Sequence, residues 1–244
     1  MSKKKVLITG AAGRIGKVLR EGLKDRYTIR ILFNRTVTDT TPDEEVFQAN
    51  VSDLAKMEEA VDGCDAVIHM AGNPSTKASF EEVQVANSLG TYNIYEACVR
   101  KGCPRVIFAS TNHVTGMYEK DEDGPTYVTP EMPVRPDSFY GASKAHGEFL
   151  GRYYADNHGL GVICLRIGSF QPVEKVKNRE NDRFLSTWLS YKDTVQLCWR
   201  GIEAEHLKFG IYFGISGNTR AYWDIQSAKG DLGYEPIDNA EDFA

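Results

Sequence analysis

Along its first two-thirds the chain alternates short, almost wholly apolar runs with longer stretches whose apolar side chains recur three or four residues apart. The apolar runs predict strands over 6–9, 28–33, 46–50, 66–70, 106–109 and 162–167. The longer periodic stretches predict helices over 16–24, 53–61, 81–100 and 140–157. Strands with no polar alternation are buried on both faces, which is the habit of parallel sheets. Strand–helix alternation joins them by right-handed crossovers. The fold class expected is α/β, a doubly wound parallel sheet over residues 1–167. Residues 118–137 are acidic and proline-rich and read as a surface loop. After Ile167 the alternation weakens. Residues 168–244 are too few for a second full-sized domain and predict a small C-terminal substrate-binding lobe rather than an independent unit.

The first strand runs into VLITGAAGRIG, with glycines at 10, 13 and 16. Gly10 suits a tight turn, Gly13 admits a pyrophosphate close to the backbone, and Gly16 lets the helix approach the strand. The first helical turn, through Arg14 and Ile15, offers unpaired N–H groups and the positive end of the helix dipole to phosphates. Together with the topology this predicts a Rossmann-type dinucleotide site. The GxxGxxG spacing resembles the short-chain dehydrogenase/reductase superfamily. At the end of the second strand a carboxylate would bind a ribose 2′-hydroxyl and repel a 2′-phosphate. Here the chain reads Asn34-Arg35, with no acid before Asp39, so both NAD and NADP stay open as cofactor. The superfamily resemblance implies an adenine contact from Asp53 and a cofactor-lining loop at Ala71-Gly72. It also implies Ile167, closing the sixth strand, as a further cofactor neighbour.

Tyr140 and Lys144, in YGASK, lie four apart and share one helix face. A free phenol, with a pKa near 10, is a poor base at neutral pH. A neighbouring ammonium and a positive nicotinamide ring favour the phenolate, which then takes a hydroxyl proton as hydride leaves. The pair alone is weak, since a helix-face contact explains it equally well. It gains force from VIFASTNHVTG, which ends the fifth strand at the carboxyl edge where such sheets bind ligands. Thr111 is the third catalytic candidate there, and Ser110 its rival. Asn87 reads as a buried amide fastening helix to sheet.

Composition narrows the partners. Of 244 residues 41% are hydrophobic and 26% charged, with a net charge of −5. That charge provides no basic field for nucleic acid or an anionic membrane surface. No apolar run approaches the ~18 residues of a membrane span. Five widely spaced cysteines, at 64, 98, 103, 164 and 198, read as core thiols in the reducing cytoplasm. No spacing suggests a metal site.

Several strings are more specific. FASTNHVTG, RPDSFYGASK, LRIGSF, RFLSTW and YFGISGNTRAYWDI–LGYEPIDNAEDF resemble the bacterial uronate dehydrogenases nearly end to end. The resemblance implies oxidation of the C1 hydroxyl of glucuronate or galacturonate to an aldarolactone, with hydride passing to NAD(P)+. It implies Tyr140 as base, Lys144 as its tuner and Thr111 as the group that positions the oxygen. Ser75, Asn112, His113 and Ser169 would bind sugar hydroxyls, and Arg183 the C6 carboxylate, with Arg179 a competitor in the same charged run. The small-molecule partner is thus an anionic sugar, and a homo-oligomer is compatible with the pattern. Two departures stand out: Asn34 replaces the acid that the family carries there, and the loop from His113 to Tyr140 is a few residues longer. An NAD(P)-dependent glucose-6-phosphate dehydrogenase of the same body plan is the alternative. A non-catalytic NAD(P) sensor, which would bind cofactor without turnover, is a rival from another class. A nucleotide-sugar epimerase would need a larger C-terminal lobe.

Overall fold

The computed structural model describes residues 3–34, 39–121 and 127–244. In chain order the elements are β1 (Lys5–Thr9), α1 (Arg14–Leu23), β2 (Thr28–Phe33), β3 (Glu45–Gln48), α2 (Leu54–Val61) and β4 (Ala66–His69). Then come α3 (Phe80–Val83), a π-helical turn (Gln84–Leu89), α4 (Gly90–Lys101), β5 (Arg105–Thr111), α5 (Phe139–His158) and β6 (Gly161–Ile167). The last part holds β7 (Ser169–Phe170), α6 (Val173–Lys177), α7 (Phe184–Thr187), β8 (Trp188–Leu189), α8 (Tyr191–Glu203), β9 (Phe209–Gly214) and α9 (Gln226–Leu232).

Seven strands form one sheet in the order β3-β2-β1-β4-β5-β6-β9, and every neighbouring pair is parallel. The strand order reverses between β1 and β4, which places the topological switch point beside the glycine turn. Each central strand is buried along almost its whole length. One face carries Leu19, Leu23, Leu197 and Ile202 from α1 and α8; the other carries Met57, Ile94, Tyr95 and Tyr154 from α2, α4 and α5. That double cover is why the strands read as unbroken apolar runs.

The sheet crosses the boundary expected at residue 167. β9 pairs with β6 from Val162↔Phe209 to Ile167↔Gly214, and α8 packs against α1. Among the described residues the small β7–β8 ribbon and its short helices stand apart from the main sheet. The predicted lobe therefore begins within a segment that also completes the core. β9 escaped the pattern because glycines flank its apolar residues, FGIYFG.

Two further expectations change. The helix predicted over 81–100 runs without a gap from Phe80 to Lys101 but carries a π-helical turn over Gln84–Leu89, which holds the buried Asn87. Of the predicted surface loop 118–137, Val128 is buried, because it forms a parallel bridge with Trp223. Among the described residues no helix is long and apolar enough to cross a membrane.

Candidate active site

A cleft of about 800 Å³ opens along the carboxyl ends of the strands at the switch point. Its floor begins at the glycine turn. Gly10 has φ +65°, and a Cβ there would lie 2.8 Å from the Ala71 nitrogen; a Cβ on Gly16 would lie 2.5 Å from the Gly10 carbonyl oxygen. Glycine is thus imposed by a left-handed turn at the first position and by close helix–strand approach at the second. No side chain caps α1, whereas Asp53, Ser138 and Ser190 cap α2, α5 and α8. The first-turn N–H groups at Arg14, Ile15 and Gly16 are left to a ligand in the cleft that these residues line.

Gly10, Gly13, Asn34, Ala71, Gly72 and Ile167 also line the cleft. Arg35 lies outside the described residues. Asp53 is a correction. It is exposed at the start of α2, where its carboxylate accepts the Lys56 N–H at 3.1 Å, and it does not line the cleft. Ala49, Asn50 and Val51, which directly follow β3, stand at the wall instead. The signal that would have found them is the end of the third strand, not the next acid along the chain.

Thr111, Tyr140 and Lys144 all line the cleft. Ser138 caps α5 by accepting the Gly141 N–H at 3.1 Å and donates its hydroxyl to Asp137 at 2.9 Å. The same carboxylate accepts His113 Nδ1 at 2.9 Å, so the loop after β5 is fastened to the start of α5. The rings of His113 and Tyr140 then meet edge to face, 5.9 Å apart. Burial pushes the Tyr140 phenol up, and the Thr111 hydroxyl opposes that shift. Burial pulls the Lys144 ammonium down to about 8, with its Nζ 4.8 Å over the Phe108 ring.

Both of the adjacent residues Ser110 and Thr111 line the cleft, but their partners differ. Ser110 donates to Glu148 at 2.6 Å, and that carboxylate forms a fully buried two-pronged pair with Arg166, each bond 2.9 Å. Thr111, on the opposite face of the strand, is the one that bears on Tyr140. Asn87 does fasten the parts together. Its amide oxygen accepts the Asn73 N–H at 2.7 Å, and its nitrogen donates to the Asn73 carbonyl at 3.1 Å and to Ser143 at 2.9 Å.

Of the residues expected at the sugar, Asn112, His113, Ser169 and Arg183 line the cleft. Ser75 does not; it is exposed beyond the rim, where its hydroxyl accepts the Lys77 N–H at 3.2 Å. Arg179 pairs with Asp182 outside the cleft, leaving Arg183 as the arginine at that end. Glu119, which grips Arg183, had no local signal in the sequence; a short 3-10 turn over Gly116–Lys120 brings it there.

Residues 6–200 match the model of the NAD dependent epimerase/dehydratase family. The chain belongs to this family. Among its relatives, uronate dehydrogenase of Pseudomonas putida is 40% identical over 241 residues, spanning 98% of this chain and 86% of the relative. The NAD-dependent glucose-6-phosphate dehydrogenase of Haloferax volcanii is 38% identical over 252 residues, spanning 98% and 95%. A crystal structure of a mutant uronate dehydrogenase from Agrobacterium tumefaciens, complexed with NAD, superposes with a TM-score of 0.89 at 37% identity. That match covers 99% of this chain and 88% of the other. The family's dinucleotide accords with the glycine turn and uncapped α1 at the switch point.

Proposed function

We propose that this protein is a dehydrogenase that oxidises the anomeric C1 hydroxyl of a free pyranose to a lactone, with NAD as hydride acceptor. The observation that carries the reading is that Thr111, Tyr140 and Lys144 line one cleft with the glycine turn, at the switch point. The backbone of Gly10, Gly13 and the first turn of α1 would hold the pyrophosphate, Asn34 the adenosine ribose, and Tyr140 with Lys144 the nicotinamide ribose. Bound there, NAD supplies the acceptor for the hydride from C1. Tyr140 as phenolate takes the proton from the C1 hydroxyl, and Thr111 holds that oxygen by a hydrogen bond. Lys144 favours the phenolate through its charge. Its ammonium, with a pKa near 8, is mostly protonated at neutral pH. Asn112 and His113 would orient the remaining hydroxyls. We read residues 168–190, with the last turns after β9, as the part that shapes the sugar site.

Asn34 brings no carboxylate against a 2′-phosphate, which supports use of NADP beside NAD. The five buried, unpaired cysteines support a reducing compartment, the cytoplasm. The uronate relatives support a sugar acid and the Haloferax relative a sugar phosphate. Both would place an anion near Arg183, so the far end of the sugar turns on that residue's partners.

Absorbance of the reduced nicotinamide tests the reaction, with NAD or NADP and a panel of aldoses, uronates and glucose 6-phosphate. Net reduction with at least one sugar is expected. Tyr140→Phe should still bind NAD while losing turnover by roughly 10²–10⁴-fold, the usual worth of a positioned general base. An active phenylalanine variant would remove Tyr140 from the role of base.

A further inference from the structure

Of the described arginines that line the cleft, Arg14 stands at the glycine turn and Arg183 among the residues expected at the sugar, and the hydrogen-bonding capacity of Arg183 is spent inside the protein. A guanidinium has five N–H donors and no acceptor. Nε donates to Glu119 at 2.6 Å, and Nη2 to the other oxygen of the same carboxylate at 2.8 Å. Nη2 also reaches the Asn112 amide oxygen at 3.0 Å, in the amide orientation that lets the nitrogen donate to the Ile167 carbonyl at 3.0 Å. Nη1 donates to Ser169 at 2.9 Å and to Thr187 at 3.3 Å. All five donors are accounted for. The fork that would grip a substrate carboxylate already grips one, in the bidentate geometry that makes such pairs strong.

Glu119 is well placed to stay. Its side chain is 17% exposed against 34% for Arg183, and it also accepts the Tyr222 hydroxyl at 2.7 Å. Burial alone would push its carboxyl up, but the Arg183 fork outweighs that and holds it below the ordinary range. The pair is therefore fully charged at neutral pH and neutral in sum. A substrate anion would have to evict Glu119 and leave it largely buried with Tyr222 alone, or sit beside a cation whose charge is already matched.

The hydroxyls next to the pair point the same way. Thr187 donates its proton to the Arg183 carbonyl at 2.9 Å, so at the 2.9 Å Ser169–Thr187 contact Ser169 is the donor. Ser169 also accepts from Arg183, so what it has left for a ligand is one lone pair. A sugar hydroxyl can donate to that lone pair. A carboxylate or phosphate oxygen, an acceptor, would meet it oxygen to oxygen.

We infer that this protein prefers a neutral aldose to a uronate or a sugar phosphate, and that Glu119 sets this preference by occupying Arg183. The inference rests on the C1 oxidation proposed at Tyr140. It is tested by kcat/KM with NAD for matched pairs, galactose against galacturonate and glucose against glucuronate, with glucose 6-phosphate alongside. The neutral member of each pair should be favoured at least tenfold. Glu119→Gln keeps the side chain's shape, removes its charge and frees that of Arg183. It should move the ratio towards the uronate by tenfold or more, chiefly through KM. A wild-type preference for uronates or the phosphate would overturn the inference and leave the reaction standing, and this comparison needs no variant. A Glu119→Gln ratio equal to that of the wild type would also overturn it. Silence with every sugar would instead remove the reaction and the inference together.

Discussion

Ser110 and Thr111 are chemically alike and adjacent, yet the strand they share turns them to opposite faces. Ser110 contributes a hydrogen bond to the buried Glu148 carboxylate, and Thr111 stands at the cleft beside Tyr140. Their substitution should therefore split stability from activity. Ser110→Ala should cost about 1–3 kcal/mol, the range for a lost bond to a buried charged group, with kcat changed by only a few-fold. Thr111→Val should leave the unfolding midpoint nearly in place and lower kcat by at least tenfold. Denaturant unfolding and steady-state rates on the same preparations would check both, and a reversed pattern would exchange the two roles. Period-two alternation shows that neighbours on a strand face opposite ways, but not which of them faces the ligand. The Asp53 expectation failed for a related reason. Asp, Asn and Ser are helix caps as readily as they are ligands, and only the position of α2 shows that this carboxylate is spent on its own helix.

Among the elements, α5 concentrates the chemistry. Its first two turns carry Tyr140 and Lys144 to the cleft, and one turn beyond Lys144 Glu148 locks it to β6 through Arg166, each side chain 1% exposed. A pair this deep gains little over apolar packing, but removing one partner strands a charge in the core. Glu148→Ala should cost about 3–5 kcal/mol in a denaturant titration. A loss below 1 kcal/mol would mean that Arg166 finds another partner or reaches water. The π-helical turn before α4 has a comparable tying role. It sets Asn87 against both the Asn73 loop and Ser143 on α5, joining two walls of the cleft. The sequence marks Asn87 as a structural amide. The extra width of the turn carries no compositional signature, so periodicity predicts the helix but not the π turn within it.

For the whole molecule, the cofactor cleft joins the ends of β1, β2, β3, β4, β5 and β6 with the start of α1, so a ligand there braces most of the fold. NAD at a hundred times its Kd should stabilise the folded state by about 2.7 kcal/mol. At roughly 2–4 °C per kcal/mol for a chain of this size, the expected rise in Tm is about 5–10 °C. Differential scanning calorimetry with and without NAD would show it. No shift at saturating NAD would contradict the assignment of the cleft.

The parallel α/β core, the glycine turn and the Tyr140–Lys144 helix were legible in the sequence, because each rests on local spacing. Apolar runs report strands buried on two faces, glycine reports a backbone with no room for a Cβ, and a four-residue interval reports one helix face. Three things were decided only in three dimensions, because each depends on residues distant in the chain. β9 belongs to the sheet by pairing with β6 across some forty residues, a register that no local pattern announces. Ser110 and Thr111 are told apart by α5, whose Glu148 takes the Ser110 hydroxyl while Tyr140, at its start, lies beside Thr111. The charge of Arg183, which in the sequence looks free to hold an anion, is cancelled by Glu119, 64 residues earlier.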